Sequence, residues 1–175
     1  MQKKHKILIG IGCAILVLAG ASAWFYWLQA GNEQQQKGSV TAQKEALHLF
    51  FPLSKTKLGR RVLEVRADAP DREKADLILK ELKKEKSVNP GLQLREVAAG
   101  IDGVLYLNLS RNLTEAHPGV PPEIIMVYAL VNSFVTSFRD VRKVQLLVEG
   151  EPPFTVGGLL YTYLPLEFNK DLMED

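Results

Sequence analysis

The sequence predicts an α+β fold in which two helices pack on a small mixed or antiparallel sheet, preceded by one transmembrane helix. An apolar run without charged residues occupies residues 7–28. Further along, apolar residues recur at helical spacing in two segments, and short alternating or densely apolar runs lie around them. Such segments bury their apolar faces most economically as two helices on one face of one sheet.

Composition excludes several classes of function. The chain has 175 residues, 24% of them charged, and a formal net charge of +2, so it lacks the basic excess of a nucleic-acid-binding protein. Its one cysteine, Cys13, permits no intramolecular disulfide and no cysteine-based zinc site. The histidines His5, His48 and His117 have no metal-ligand spacing. We therefore expect no metal, no cofactor and no nucleic-acid partner.

Residues 7–28 have the features of a transmembrane signal anchor. Roughly 20 apolar residues span the hydrocarbon core of a membrane, and this run reaches that length. Three lysines precede it within residues 1–6, and the aromatic residues 24–27 lie where the far headgroups would be. The positive-inside rule places residues 1–6 in the cytoplasm. We expect a single-pass protein of the cytoplasmic membrane whose C-terminal part lies outside the cytoplasm.

The sequence allows three alternatives to an uncleaved anchor. Cleavage after Ala21-Ser22-Ala23 would release the same domain, although it would leave the aromatic residues 24–27 at the mature N-terminus. Lipid attachment at Cys13 is disfavoured because only a short apolar stretch precedes it. A buried core helix is disfavoured by the basic residues before the run and the aromatic residues after it. The signal anchor is preferred, and cleavage stays open.

Residues 29–43 are polar and rich in glutamine, which is typical of a flexible linker. The predicted domain, residues 44–175, begins with strands at 46–53, which is densely apolar, and at 61–66, which alternates. Asp68 is the expected N-cap of the first helix, which ends before Asn89-Pro90-Gly91. The inward positions of this helix share helical spacing: Ala75, Ile78, Leu79 and Leu82.

The second half of the domain contains a predicted hairpin and a second helix. Strands at 92–98 and 104–109 flank Asp102-Gly103, which predicts a two-residue turn. The second helix is expected to begin at Pro121-Pro122-Glu123 and to run to about Phe138. A last strand at 141–149 completes the order β, β, α, β, β, α, β.

The second helix has a wide apolar face, which predicts tight packing on the sheet. Its inward residues are expected to be Ile124, Val127, Tyr128, Val131, Phe134, Val135 and Phe138. Its narrow polar side is expected to be Asn132, Ser133, Thr136 and Ser137. Glu123 is expected to interact favourably with the dipole at the N-terminus of the helix.

Residues 104–110, the helix start at Pro122-Glu123 and the helix segment 129–134 together resemble the GerMN domain. This family is named from spore-germination and sporulation proteins and also occurs in bacterial envelope proteins. The similarity continues through 141–150 and covers roughly residues 47–168.

Two departures from the family pattern stand out. Phe134 occupies a position where the family usually has leucine, and residues 158–163 lack an aspartate that the family often has near its end. The resemblance implies a small α+β module of the ring-building type, known from assemblies in bacterial envelopes. The implied activity is assembly or ligand binding, and no catalytic residues can be carried over.

Candidate site residues are few. Asn108, Ser110 and Asn132 are the candidates for a binding role, although each can also serve a structural hydrogen bond. For Asn132, in the middle of a helix where asparagine has poor propensity, a bond to a neighbouring loop is the favoured interpretation. Ser110, Glu115 and His117 form the best available imitation of a hydrolytic site, and a polar loop before a proline-rich helix start is the favoured explanation.

These observations favour a non-enzymatic envelope domain that binds a protein partner or a cell-wall component and is attached to the membrane by its N-terminal helix. The process would be the assembly of a spore or of the cell envelope. Two alternatives are an envelope hydrolase that uses the loop with Ser110, Glu115 and His117, and a scaffold that self-associates by edge-strand pairing into a ring.

Overall fold

The computed structural model describes residues 43–174. The predicted transmembrane segment at 7–28 and nearly all of the predicted linker lie outside these residues. No helix within residues 43–174 is long and apolar enough to cross a membrane. The strands are β1 Lys44–Pro52, β2 Leu58–Arg66, β3 Leu94–Ala99, β4 Val104–Leu109, β5 Lys143–Val148 and β6 Leu166–Glu167. The helices are α1 Asp71–Lys84 and α2 Glu123–Ser137, with a 3₁₀ turn at Arg111–Leu113.

The α+β class and the two helices are confirmed, but the strands form two sheets and not one. Strands β1 and β2 form an antiparallel hairpin, and the second sheet has the order β3-β4-β5-β6. In that sheet β4 and β5 run parallel, while the other pairs are antiparallel. The parallel pair follows from the connection, because α2 provides the long crossover that parallel neighbours require. Strand β6 was not predicted, since two residues are too short for a periodic signal.

The hairpin between β3 and β4 is confirmed, but its predicted two-residue turn is wrong. Ala99 pairs with Leu105, and the Gly100 N–H donates to the Val104 carbonyl at 2.7 Å, which leaves three residues in the loop. Gly103 closes the loop with φ +72°. A three-residue loop of this kind needs a left-handed residue at its end, and glycine adopts that conformation without a steric penalty.

Helix α1 buries the four predicted residues, Ala75, Ile78, Leu79 and Leu82. The predicted N-cap at Asp68 is wrong, because Pro70 occupies that position and no side chain caps the helix. The Ala69 N–H donates to the Arg66 carbonyl at 3.0 Å, so Asp68 lies in a tight turn after β2 and faces the Arg66 guanidinium at 3.5 Å. The rigid φ of proline suits a helix start without a polar cap.

Helix α2 lies where it was predicted, but its two faces are not divided as predicted. Ile124, expected inside, is 39% exposed, whereas Asn132, Ser133 and Ser137 from the predicted polar side are buried. The reason is that α2 packs against β1, β5, β6 and α1 together and therefore has little surface left for solvent. A helix enclosed in this way must bury its polar side chains along with its apolar ones.

Two of these buried serines complete the hydrogen bonding of β1. The Phe50 N–H donates to Ser133 Oγ at 2.8 Å, and the His48 N–H donates to Ser137 Oγ at 2.8 Å. The Ser137 hydroxyl in turn donates to the His48 carbonyl at 3.2 Å. Strand β1 pairs with β2 along its other edge, so helix side chains take the place of a third strand. Backbone groups that would otherwise be buried without partners are thereby satisfied.

We expect Ser133→Ala to lower the free energy of unfolding by about 2 kcal/mol, because the buried Phe50 N–H loses its acceptor. The matched control is Thr136→Ala on the same helix, an exposed residue whose hydroxyl donates only within α2, to the Asn132 carbonyl at 2.7 Å and the Ser133 carbonyl at 3.5 Å. That change should cost less than about 0.5 kcal/mol. Urea unfolding of the full-length chain, followed by far-UV circular dichroism, measures both, and equal losses would contradict the role assigned to Ser133.

Candidate functional site

The candidates Asn108 and Ser110 each make a structural hydrogen bond. Asn108 Oδ1 accepts from the Gly150 N–H at 2.8 Å, which joins β4 to the turn after β5. Ser110 is only 3% exposed, and its Oγ accepts from the Gln93 N–H at 3.0 Å and donates to Asn112 Oδ1 at 3.1 Å. Asn108 Oδ1 and Ser110 Oγ are therefore engaged within the domain.

Asn132 connects α2 to the C-terminal segment. Its Nδ2 donates to the Asn169 carbonyl at 3.0 Å, and its Oδ1 accepts from the Asn169 N–H at 2.9 Å. An amide side chain that bonds both backbone groups of one residue imitates a strand pair. This is the link between helix and loop that was the favoured interpretation of Asn132, and the residue is fully buried.

Of the three residues of the hydrolytic alternative, Ser110 and Glu115 are linked only through the Asn112 side chain, and His117 is bonded to neither within residues 43–174. Ser110 is buried and bonded as described, whereas Glu115 accepts from Asn112 Nδ2 at 2.8 Å. His117 is exposed, and its Nδ1 lies 2.8 Å from the Pro118 carbonyl. Within residues 43–174 no hydrogen bond connects His117 to either of the other two. A general base must be within hydrogen-bond reach of its nucleophile, or connected to it by one water.

A different segment, residues 152–166, presents the most conspicuous surface; it forms most of the connection between β5 and β6, ends at the first residue of β6, and is called the 152–166 loop below. It contains no charged residue, although 24% of the chain is charged. Its exposed fractions are high for apolar side chains: Phe154 70%, Leu159 75%, Tyr161 53%, Tyr163 42% and Leu164 59%. Contiguous exposed apolar groups on a soluble domain mark an interaction surface more often than isolated ones do.

The three rings of this loop are arranged as one group, which we call the aromatic cluster: Phe154, Tyr161 and Tyr163. The rings of Phe154 and Tyr163 stack with centroids 5.0 Å apart and an interplanar angle of 13°. Tyr161 lies 6.2 Å from Tyr163. Between the two tyrosines Thr162 points inward and is 1% exposed. The alternation keeps the rings outside while the loop is fastened to the core.

Hydrogen bonds from Thr162 hold the two arms of the loop together. Its N–H donates to the Phe154 carbonyl at 2.8 Å, and its Oγ1 donates to the Pro153 carbonyl at 2.9 Å. The buried Gln145 side chain on β5 donates to the Thr162 carbonyl at 3.2 Å. The backbone that carries the aromatic cluster is therefore hydrogen-bonded both to the other arm of the loop and to the Gln145 side chain of β5.

The carboxylate of Glu123, at the first position of α2, fixes the middle of the loop. Its Oε1 accepts from the N–H groups of Val156 at 3.0 Å and Leu160 at 3.3 Å, and its Oε2 accepts from Leu159 at 2.7 Å. Gly157 passes so close that an added Cβ would lie 3.2 Å from Oε2. The carboxylate thus organises a backbone segment in addition to its expected interaction with the helix dipole.

These contacts set the pKa of Glu123. Burial of the carboxylate disfavours its charged form and acts to raise the pKa, but the backbone N–H groups of the loop hydrogen-bond that charged form and outweigh burial. The pKa of Glu123 therefore lies below its ordinary value. The carboxylate is ionised at neutral pH and bound most strongly in that state.

The aromatic cluster and the role of Glu123 were missed by sequence reasoning. The uncharged run at 152–166 with three rings and Gly157-Gly158 was the available signal for an exposed loop of unusual character. The partners of Glu123 could not be found in this way, because they are backbone N–H groups, which are the same in almost every type of residue.

We expect Glu123→Gln to lower the free energy of unfolding by about 2 kcal/mol at pH 7, because three backbone donors lose a charged acceptor. The effect depends on pH. A lowered pKa in the folded state gives stability that is complete above the ordinary glutamate value of about 4.5 and is lost as the pH falls through the folded pKa.

Thermal unfolding of the full-length chain at pH 7, 5, 4 and 3 measures this difference. The gap between wild type and Glu123→Gln should be constant from pH 7 to about 5 and should shrink below about 4.5. The matched control is Glu151→Gln, which removes an exposed carboxylate that has no side-chain hydrogen bond within residues 43–174. A gap that does not change with pH would contradict the role of the ionised carboxylate.

Comparison with known proteins identifies the domain. A family model described as Germane, sporulation and spore germination, matches residues 48–153. A structure of tandem GerMN domains of the sporulation protein GerM from Bacillus subtilis has 13% identity and a TM-score of 0.53, covering 78% of this chain and 50% of that one. The first GerMN domain of the same protein has 15% identity and a TM-score of 0.51, covering 73% and 98%.

At these identities the two structures establish the fold. This chain spans about half the length of the tandem structure. No curated protein matches the sequence. The family model covers more than half of the chain, and the fold agrees with it. The resemblance inferred from residues 104–150 is thus confirmed: the chain has a GerMN-type domain and belongs to the Germane family of sporulation and spore germination domains.

Proposed function

We propose that this chain is a non-enzymatic envelope protein of sporulation or germination that binds a partner protein through its aromatic cluster. The observation that carries the proposal is the uncharged 152–166 loop, which keeps Phe154, Tyr161 and Tyr163 exposed on a fastened backbone. A surface whose backbone is already fixed by hydrogen bonds loses little conformational entropy when a partner binds. We propose no catalytic role, because His117 has no hydrogen bond to Ser110 or Glu115 within residues 43–174.

The chemistry of the loop favours a protein partner over a cell-wall component. Aromatic residues are enriched at protein interfaces, where tyrosine supplies both apolar area and a hydroxyl for hydrogen bonding. The neighbouring side chains Leu159 and Leu164, 75% and 59% exposed, add aliphatic surface that a polar glycan would leave unused. The absence of charge from residues 152–166 favours a partner surface that is itself uncharged.

The predicted anchor at residues 7–28 would place this binding surface beside the outer face of the cytoplasmic membrane. The linker at 29–43 has an r.m.s. span of about 20 Å if it behaves as a flexible coil. The domain would then search for partners within a thin layer next to the membrane, which raises its effective concentration toward other membrane-bound proteins. Cleavage at Ala21-Ser22-Ala23 would remove this restriction while leaving the binding surface unchanged.

The proposal is tested by photo-crosslinking in intact producing cells. A photoreactive phenylalanine derivative at Tyr161 in the full-length chain should give a discrete adduct with a protein. Phe154→Ala together with Tyr163→Ala should reduce the adduct about tenfold or more, because central aromatic residues carry most of the binding energy of an interface. The matched control is Tyr106→Ala, which removes from β4 a tyrosine whose exposure, 40%, is close to the 42% of Tyr163.

Sedimentation of the purified full-length chain with cell-wall sacculi tests the other class of partner. Sedimentation that is lost in the double variant, without any protein adduct, would replace the protein partner by a wall component. Adducts of equal yield in the double variant, or neither an adduct nor sedimentation, would overturn the role of the aromatic cluster.

A further inference from the structure

The outer edge of β2 is open in the middle. Strand β2 pairs with β1 along one edge, with Val62 opposite His48 and Arg60 opposite Phe50. The N–H groups of His48 and Phe50 point away from β2 to the serines of α2, so these two pairs are of the type that does not exchange hydrogen bonds. It follows that Val62 and Arg60 also direct their backbone groups away from β1.

The two ends of this edge are occupied by the chain itself. At the first residue of β2, the Leu58 N–H donates to the Leu172 carbonyl at 2.7 Å, and the Leu58 carbonyl accepts from the Glu174 N–H at 3.2 Å. At its last residue, the Arg66 carbonyl accepts from the Ala69 N–H. Between these ends the outward backbone groups of residues 60, 62 and 64 have no hydrogen-bond partner within residues 43–174.

The side chains at these three positions complement one another in an antiparallel arrangement. Arg60 and Glu64 are exposed, and Val62 between them is 50% exposed. If β2 of a second copy runs antiparallel with Val62 opposite Val62, each Arg60 lies opposite a Glu64. The sequence Arg-x-Val-x-Glu is therefore complementary to itself under a two-fold axis, and opposite charges facing each other across strands stabilise the pair.

From this geometry we infer that two copies of the chain associate through antiparallel pairing of their β2 edges, with the two-fold axis at Val62. Because residues 60, 62 and 64 all direct their backbone groups outward, the three residue pairs exchange roughly six hydrogen bonds. The sheet of two strands becomes one of four strands. A two-fold interface of this kind is closed, so it gives a dimer and not a ring. The inference is independent of the aromatic cluster.

The pairing requires little rearrangement in either copy. Strand β2 is joined to α1 through ion pairs of Arg61 with Glu81 and Glu85. The outward backbone groups of residues 60, 62 and 64, in contrast, have no partner within residues 43–174, so no backbone hydrogen bond must break. Arg60 has no ion pair within residues 43–174, and Glu64 pairs with Lys44 through an exposed contact that a second cation can share. The contact is short, so the dimer is expected to be weak and to gain from any restriction of the chain to a surface.

A cysteine placed on the proposed axis tests the pairing directly in the full-length chain. Opposite residues of a hydrogen-bonded antiparallel pair have Cα atoms about 5.5 Å apart, which is within disulfide range. With Cys13→Ser removing the one native thiol, Val62→Cys should give a covalent dimer under mild oxidation. The matched control is Ala46→Cys, exposed on β1, whose copies would be about 19 Å apart, three strand spacings across and four residues along the strands, and so out of reach.

Charge exchange separates the proposed pairing from accidental collision. In the Val62→Cys background, Arg60→Glu or Glu64→Arg alone should reduce dimer yield about tenfold, because each places like charges opposite each other at two symmetric positions. The double variant Arg60→Glu with Glu64→Arg should restore the yield. Far-UV circular dichroism verifies that each variant is folded.

Sedimentation of the cysteine-free Cys13→Ser chain in mild detergent, over a wide range of concentration, provides an independent measurement. A reversible dimer that is weakened by Arg60→Glu supports the inference. A monomer at every concentration would overturn it, since charged side chains on an edge also serve to prevent pairing. Equal crosslinking of Val62→Cys and Ala46→Cys, or no restoration in the double variant, would overturn it as well.

Discussion

Helix α2 packs against β1, β5, β6 and α1, and each of its buried polar side chains must therefore find a partner inside the domain. Unpartnered polar groups in a protein interior cost more free energy than a typical hydrogen bond contributes. The consequence is visible along the whole helix. Glu123 binds the 152–166 loop, Asn132 binds the C-terminal segment, and Ser133 and Ser137 bind β1. Residues that would weaken an exposed helix serve here as its connections to three separate parts of the chain.

Periodicity predicted the elements of this fold better than it predicted their surroundings. The four buried residues of α1 and the extent of α2 followed from apolar spacing, since a helix with one buried face leaves a clear pattern. The faces of α2 could not be predicted in this way. The helix contacts β1, β5, β6 and α1, so most of its residues are buried whether they are apolar or polar. Ser133 was therefore assigned to solvent, although it is fully buried. Apolar periodicity could not predict strand β6, which has only two residues, or the three-residue hairpin loop, which differs from the predicted turn by one residue.

The sequence also identified unusual polar residues more readily than it identified their role. Asn108, Ser110 and Asn132 drew attention as polar residues in unusual places, and the structure accounts for each by a hydrogen bond inside the domain. Among the described residues, the surfaces without partners include the rings of the aromatic cluster and the open middle of the β2 edge. In this GerMN-type domain the features that bear on function are therefore the shape and area of exposed surfaces, and not reactive side chains. Both surfaces are suited to meeting other macromolecules, and they lie in different segments of the chain.

The parallel bridge between Leu58 and Met173 joins the beginning of the domain to its end. Strand β1 likewise depends on α2, more than 80 residues further along the chain. A ribosome synthesises the first hairpin long before either of these partners exists. The hairpin alone is marginally stable at best, as two-stranded sheets are in water. The N-terminal strands therefore gain their last contacts only after residue 174 has been made, and until then they remain open to other contacts.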